Sequence, residues 1–274
     1  MVASFFLSFR EGLEAALIIG ITLGALRRMH RLELVPAVWR GVGAAILVSL
    51  LAAAALTMLG ARFEGRAEEI FEGAAMLLAA GILTWMIFWM QQQAGKLRDN
   101  IEANVQQAVF GGGQGALFTL AFVAVVREGL ELALFLVAAG LATDSGLVLP
   151  GAALGLLAAL TAGWVLFAGT NRLNVRAFFQ VTNILLLFFA AGLVAHGVHE
   201  LNEAGIIPAV VENVWDLNFI LDENSIVGSL MKALFGYNGN PSLTEVFAYG
   251  GYVAILLGVM SYMMRKRNLL STTS

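Results

Sequence analysis

The chain has 274 residues, of which 59% are apolar and 13% are charged, and its mean hydropathy is +0.81. This composition lies outside the range of soluble domains and indicates a protein that crosses a membrane several times. The absence of cysteine excludes disulfides, thiolate metal sites and iron–sulfur clusters, so a metal would have oxygen or imidazole ligands. The net charge of -3 gives no support to a nucleic-acid partner.

Seven apolar runs follow one another along the chain. The first, MVASFFLSF, has no basic residue before it, and Arg10 and Glu11 fall inside the hydrophobic region, so we expect a retained span rather than a signal peptide. Stretches of about 20 mostly apolar residues predict an all-α, polytopic membrane protein with seven transmembrane helices. The predicted spans are 3–26, 40–60, 70–92, 116–141, 149–169, 178–201 and 245–264.

The basic residues of the loops predict the orientation, because Lys and Arg collect on the cytoplasmic side. Only three lie in the loops after spans 2, 4 and 6, namely Arg62, Arg66 and Lys232. The loops after spans 1, 3 and 5 and the tail after span 7 hold Arg27, Arg28, Arg31, Arg40, Lys96, Arg98, Arg172, Arg176, Arg265, Lys266 and Arg267. The N-terminus is therefore predicted outside and the C-terminus in the cytoplasm.

Two further features are typical of membrane interfaces. Within the acidic outer loop 202–244, apolar residues recur at helical spacing over 225–236, which predicts a helix on the outer interface. Four tryptophans lie near the inner ends of predicted spans, where an aromatic belt is expected, so we assign them a structural role. They are Trp39, Trp85, Trp89 and Trp164.

An internal repeat is indicated by the pentapeptide REGLE, which occurs at 10–14 and again at 127–131. The AAG at 79–81 in span 3 likewise matches the AAG at 190–192 in span 6. Because each unit has three spans, the second enters the membrane from the opposite side, which predicts an inverted-topology repeat. The predicted parts are a first repeat (1–92), a cytoplasmic linker (93–115), a second repeat (116–201), an outer loop (202–244), and a seventh span with a basic tail (245–274).

Each REGLE motif places one arginine and two glutamates inside a span. A charged residue at a helix centre costs about 2.5 to 3.5 kcal/mol on insertion scales, so these side chains must face the bundle interior or a wet cavity. Residues three and four apart share a helix face, so the two glutamates of each motif point the same way and the arginine reaches the second of them across one turn. Gly12 and Gly129 remove side-chain bulk, so we expect the two motif helices to approach closely there.

The two motifs together predict a site of four carboxylates and two guanidinium groups. A purely structural ion pair needs one acid per base, whereas this site has a surplus of two acids and a formal charge of -2. The surplus predicts a bound cation, and carboxylate oxygens suit a hard or borderline metal ion, or protons. We expect the arginines to hold the site together and to move aside for the metal. The predicted metal residues are Glu11, Glu14, Glu128 and Glu131, and the organising residues are Arg10 and Arg127.

Acidic and histidine side chains also lie at the outer ends of spans 3 and 6. In span 3 they either gather cations or form a solvated acidic loop paired with Arg62 and Arg66. In span 6 they lie at helical spacing and either relay metal or make interfacial hydrogen bonds. These secondary candidates are Glu68, Glu69, Glu72, His196, His199, Glu200 and Glu203.

The two REGLE motifs in a seven-span chain resemble the oxidase-dependent iron permease family. EIFEG at 69–73, ILTWMIFWM at 82–90, and HE followed by EAG at 199–205 look like its bacterial Efe-type members, to which the fungal high-affinity iron permeases are related. The resemblance implies iron import through the bacterial cytoplasmic membrane, with the four glutamates of the motifs handling iron as the transported substrate. It also implies a periplasmic iron-binding protein and an oxidase or peroxidase as partners.

Other functions are compatible with the same residues. A transporter of another divalent metal, or an exporter, would use the same carboxylates. A membrane-embedded di-metal enzyme is disfavoured, because di-iron bundle enzymes supply Glu-x-x-His from two helices and both motifs here have Glu-x-x-Glu. The chain has no P-loop, so we do not expect it to hydrolyse ATP. We also expect no permanently bound cofactor. The motifs leave Fe²⁺ and Fe³⁺ both open as substrates.

Overall fold

The structure is a computed structural model that describes residues 1–93, 97–142, 145–168, 175–223 and 225–271. Within these ranges the chain is helical and contains no strand. Lys96 and Arg172, which contributed to the predicted orientation, lie outside the described residues. The helices are α1 (Val2–Arg28), α2 (Val35–Gly60), α3 (Arg66–Gln93), α4 (Leu97–Gly111), α5 (Gly113–Ala142), α6 (Val148–Ala168), α7 (Val175–Glu203), α8 (Ile226–Phe235) and α9 (Leu243–Ser271).

Each predicted span falls within one of the long helices. These are α1, α2, α3, α5, α6, α7 and α9, which have 21 to 30 residues, and only residue 169 of the fifth span lies outside the described part. Five of them, α2, α3, α6, α7 and α9, are long and apolar enough to cross a membrane. The other two, α1 and α5, carry the REGLE motifs.

The segment 93–115, predicted as a linker, contains a helix that the sequence did not predict. Helix α4 buries Ile101 and Val105 in a hydrophobic cluster shared with α1, α2 and α5. Arg28 of α1 forms an ion pair of 2.7 Å with Glu102 of α4. The chain then turns into α5 at Gly113, whose φ of 57° lies in the left-handed region that glycine adopts without strain.

The amphipathic segment predicted at 225–236 forms α8. Ser225 caps it by accepting a hydrogen bond from the Gly228 N–H at 2.9 Å, and Gly236 ends it with a φ of 66°. The backbone of Gly236 packs against that of Gly192, about 16 Å before the end of α7 at 1.5 Å per residue. The C-terminal end of helix α8 therefore packs against α7, where two glycines allow the close contact. Its position at the outer interface stays a prediction.

The long helices pair in a symmetric way. The most extensive contacts in the described part of the chain are α1 with α6 and α2 with α5, followed by α3 with α7 and α1 with α5. Exchanging α1, α2 and α3 for α5, α6 and α7 maps the α1–α6 contact onto the α2–α5 contact, and maps the α3–α7 and α1–α5 contacts each onto itself. This is the pairing expected if the two three-helix units are equivalent.

Stripes of small residues make the two largest contacts possible. On α6 every fourth residue is small, and the side-chain space of these residues is filled by α1. Gly41 and Ser49 of α2 approach α5 in the same way, at Phe118 and Gly129. Helices in a membrane associate through such close packing, since lipid is as apolar as their side chains. The stripe on α6 consists of Gly151, Gly155, Ala159 and Gly163.

Two hydrophobic clusters lie on either side of the REGLE motifs. The first includes Leu7 of α1 and Phe135 and Ala138 of α5, packed against α3 and α7. The second includes Leu26 of α1 and Val125 of α5, packed against α2 and α4. On both α1 and α5 the charged motif therefore falls between the two clusters. The charges form a layer near the middle of the helix bundle.

Candidate metal centre

The two REGLE motifs meet where α1 contacts α5. Glu11, Glu128 and Glu131 each bring a carboxylate oxygen to this place, and the three oxygens lie within 4.8 Å of one another. Glu14 is not within that distance of all three, although it interacts electrostatically with Glu131. Oxygens held this close repel one another unless protons or a cation lie between them, and several carboxylates sharing one cation is the usual arrangement for hard metal ions.

Arg10 is fully buried beside the α1 carboxylates. Its Nη1 donates to Glu11 Oε1 at 2.8 Å, and its Nη2 lies 3.2 Å from Glu14 Oε1, as the one-turn spacing predicted. Nη1 also lies 3.2 Å from Met86 Sδ, and Nη2 lies 3.6 Å from Met90 Sδ. The guanidinium of Arg10 therefore contacts two carboxylates of α1 and two thioethers of α3.

Arg127 repeats the pairing but in a more open place. Its Nε donates to Glu131 Oε1 at 2.9 Å and lies 4.0 Å from Glu128 Oε1. The side chain is 39% exposed, against 0% for Arg10, and its guanidinium carbon lies 4.8 Å from the centre of the Trp89 ring. Five of the six motif charges thus face the bundle interior as predicted, whereas Arg127 is only partly covered.

Each of the four carboxylates keeps one buried oxygen that makes no hydrogen bond in the described part of the chain, although that of Glu14 lies within ion-pair distance of Arg10. The Nε of Arg10 is in the same condition. A buried polar atom without a partner costs about 1 to 3 kcal/mol, and more when it is charged. A cation placed among the oxygens would remove this cost. The four oxygens are Glu11 Oε2, Glu14 Oε1, Glu128 Oε2 and Glu131 Oε2.

The motif glycines permit close packing, but not between the two motif helices as we expected. A Cβ on Gly12 would lie 2.9 Å from the Ala159 Cβ of α6, and one on Gly129 would overlap Ser49 of α2. The glycine on α1 therefore allows close contact with α6, and the glycine on α5 allows close contact with α2. In both cases the contacting helix is the second one of the other three-helix unit. The expected partner was wrong because the pentapeptide shows where bulk is missing and cannot show which helix fills the space.

Sequence reasoning missed the contribution of α3. We assigned Trp89 to the interfacial belt, and the exposed Trp39, Trp85 and Trp164 fit that role, but Trp89 contacts Arg127. The thioethers of Met86 and Met90 were missed, because the absence of cysteine directed attention to oxygen and imidazole groups. Their spacing of four residues, with Trp89 between them, puts all three on one turn of α3.

The secondary candidates separate into three groups. Glu72 and Glu200 lie close enough for their charges to interact, so α3 and α7 together form an acidic patch, to which Glu69 also contributes. Glu68 is exposed. His196 is buried and bonded to the Gly192 carbonyl at 2.9 Å, which is an ordinary role for a buried histidine.

His199 forms a link between α7 and α9. Its Nε2 lies 3.3 Å from Glu203 Oε1, which confirms the predicted one-turn pairing. Its Nδ1 lies 3.0 Å from Oε1 of Glu245, a buried residue that also accepts hydrogen bonds from Asn238 and the Ser242 N–H. With both ring nitrogens facing carboxylates, His199 has no free nitrogen for a metal in this arrangement.

Comparisons with known proteins agree on one family. The sequence profile of the iron permease FTR1 family matches residues 1–269. The chain is 36% identical over 256 residues to a ferrous iron permease EfeU of Yersinia pestis, covering 92% of this chain and 90% of that protein. It is 38% identical over 263 residues to a ferrous iron permease EfeU of Escherichia coli O157:H7, covering 92% of each. No solved structure gives a significant match.

Proposed function

Because the chain belongs to the iron permease FTR1 family, we propose that it imports ferrous iron across a bacterial cytoplasmic membrane through the REGLE site between α1 and α5. Membership of a permease family makes it a transporter and iron its substrate. The choice of Fe²⁺ follows the relatives, which are named as ferrous iron permeases. It also fits the formal charge of the site, because a divalent ion neutralises four carboxylates and two guanidinium groups.

The observation that carries the proposal is the cluster of three carboxylates. The nearby oxygens of Glu11, Glu128 and Glu131 come from two helices of different three-helix units. A cation bound there would contact both units at once, so relative movement of the units would change its access. The buried oxygens without hydrogen bonds supply the attraction that draws a cation into the layer.

The proposed topology has seven spans, with the N-terminus outside and the C-terminus in the cytoplasm. It is supported by the match between predicted spans and long helices, and by the five helices apolar enough to cross a membrane. The distribution of Lys and Arg between alternate loops supports the orientation. The symmetric pairing of α1 with α6 and α2 with α5 supports an inverted repeat.

We further propose that the acidic patch of Glu72 and Glu200, with Glu68 and Glu69, attracts cations to the outer face. Like charges near one another are unfavourable without a counterion, so the patch favours a loosely held cation. His199 acts there as a structural link, because its nitrogens are engaged by Glu203 and Glu245. A periplasmic iron-binding protein and an oxidase or peroxidase remain predictions based on the family resemblance.

Iron uptake into proteoliposomes tests the proposal. We expect Glu11→Gln, Glu128→Gln and Glu131→Gln each to lower Fe²⁺ uptake at least about tenfold, because even indirect partners of a metal contribute that much. Glu14→Gln should have a smaller effect, since Glu14 lies outside the cluster of three. Glu33→Gln, at an exposed residue that pairs with Arg31, is the matched control.

The same assay distinguishes iron from other cargo. Mn²⁺ and Zn²⁺ are added as competitors, because an all-oxygen site also suits manganese. If the parent transports Mn²⁺ faster than Fe²⁺, the proposed cargo is wrong, but the proposal that the REGLE carboxylates bind the transported cation is not affected. Normal Fe²⁺ uptake in all three cluster variants contradicts the proposed site.

A further inference from the structure

One turn of α3 contacts both arginines of the metal centre. Met86 and Met90 place their sulfur atoms 3.2 and 3.6 Å from Nη1 and Nη2 of Arg10. Between them, Trp89 presents its ring to the guanidinium of Arg127 at 4.8 Å. We call this set of three residues, Met86, Trp89 and Met90, the arginine cradle.

The arginine cradle attracts cations without carrying a negative charge. A thioether sulfur is a weak hydrogen-bond acceptor, and the face of an indole ring attracts a guanidinium through its quadrupole. Both interactions are weaker than a bond to a carboxylate. The cradle can therefore hold the guanidinium groups of the arginines, while the metal binds to the carboxylates.

The hydrogen bonds of Arg10 show the competition directly. Its Nη1 is shared between Glu11 Oε1 and the sulfur of Met86, and its Nη2 lies near both Glu14 and Met90. A metal that takes the carboxylates removes the stronger partner from each nitrogen. Because Arg10 is fully buried, its guanidinium then depends on the acceptors that are already in place around it.

On the basis of the proposed metal transport, we propose that the arginine cradle holds the two guanidinium groups when the transported cation displaces them from the glutamates. Arg10 keeps its hydrogen bonds to Met86 and Met90, and Arg127 keeps its stacking on Trp89. The carboxylates are thereby freed for the metal at a lower energetic cost. Met86, Trp89 and Met90 are positioning residues in this account, since they act on the site through the arginines.

A series of substitutions at Met86 separates this role from simple packing. Met86→Leu keeps the volume but removes the acceptor, whereas Met86→Gln provides a stronger acceptor in a side chain of similar length. If the acceptor matters, the KM for Fe²⁺ uptake into proteoliposomes should rise in the order Gln, Met, Leu. For Met86→Leu combined with Met90→Leu we expect an increase in KM of about five- to tenfold.

A packing role predicts instead that KM is the same across the Met86 series. Leucine would then be tolerated, and the buried amide of Met86→Gln would lower the amount of folded protein and hence the maximal rate rather than KM. Met76→Leu is the matched control, because Met76 is equally buried on α3 and lies in a hydrophobic cluster. It should leave both KM and the maximal rate unchanged.

Trp89 provides a second and independent test. Trp89→Phe keeps an aromatic face and Trp89→Leu does not, so KM should rise further in the leucine variant than in the phenylalanine variant. Equal KM values for the parent, the Met86 series and the Trp89 pair overturn the cradle, provided that Glu11→Gln still abolishes uptake. If Glu11→Gln transports normally, the proposed function has failed instead, and the two failures are distinguishable in one assay.

Discussion

The two copies of REGLE have the same five letters and different surroundings. In the α1 copy Arg10 is 0% and Leu13 is 3% exposed, whereas in the α5 copy Arg127 is 39% and Leu130 is 42% exposed. The carboxylates do not follow this difference, since Glu11 and Glu128 are both buried. The two copies therefore both have a buried glutamate at this position, but their arginines differ in exposure.

The packing of the two helices explains the difference. Helix α1 is covered over residues 4–16 by the small-residue stripe of α6, and its arginine is enclosed by Met86 and Met90. On α5, Arg127 shares a helix face with the exposed Val123 and Leu130, and the ring of Trp89 covers it on one side. One arginine is thus enclosed within the bundle, and the other is partly exposed.

The largest expected contrast is in stability between Arg10→Ala and Arg127→Ala. Removing Arg10 leaves buried carboxylates without their positive partner, which should cost about 3 to 5 kcal/mol. Removing the partly exposed Arg127 should cost about 1 kcal/mol or less. Thermal unfolding of the purified variants in detergent measures both losses. Equal losses would show that the exposure difference between the two copies has no energetic meaning.

A smaller effect is expected from adding a methyl group to the motif glycines. Gly12→Ala would press on Ala159, and Gly129→Ala would press on Ser49, so each should cost about 1 to 3 kcal/mol through overpacking. The partner substitutions Ala159→Gly and Ser49→Gly should recover part of each loss. Double-mutant cycles on thermal unfolding measure the coupling of each pair.

The crossed pairs are the control for these cycles. Gly12→Ala with Ser49→Gly, and Gly129→Ala with Ala159→Gly, join residues that do not meet in the structure and should be additive. Recovery in the crossed pairs, or none in the direct pairs, contradicts the assignment of α6 to the α1 motif and α2 to the α5 motif.

The sequence was sufficient to predict the long helices and the local geometry of each motif. Apolar length predicted the seven runs, and the one-turn spacing predicted the pairs of Arg10 with Glu14 and Arg127 with Glu131. These features depend on residues close together in the chain. Local periodicity is enough to determine them.

Features that depend on tertiary contacts were not predicted. Helix α4 is too polar to resemble a span, and it is held by packing of a few apolar residues such as Val105. The contact of Arg10 with Met86 joins residues 76 positions apart. One usable signal was present in the sequence: the small residues at every fourth position of α6 indicate a close helix contact. The identity of the contacting helix still required the structure.

The central claim is that the transported cation binds between the two REGLE copies. Anomalous diffraction at the iron edge, from crystals of the parent protein loaded anaerobically with Fe²⁺, tests it most directly. We expect an iron peak between α1 and α5, with oxygens of Glu11, Glu128 and Glu131 at about 2.0 to 2.6 Å from the iron. An iron peak confined to the acidic patch of Glu72 and Glu200, with none between α1 and α5, would contradict it.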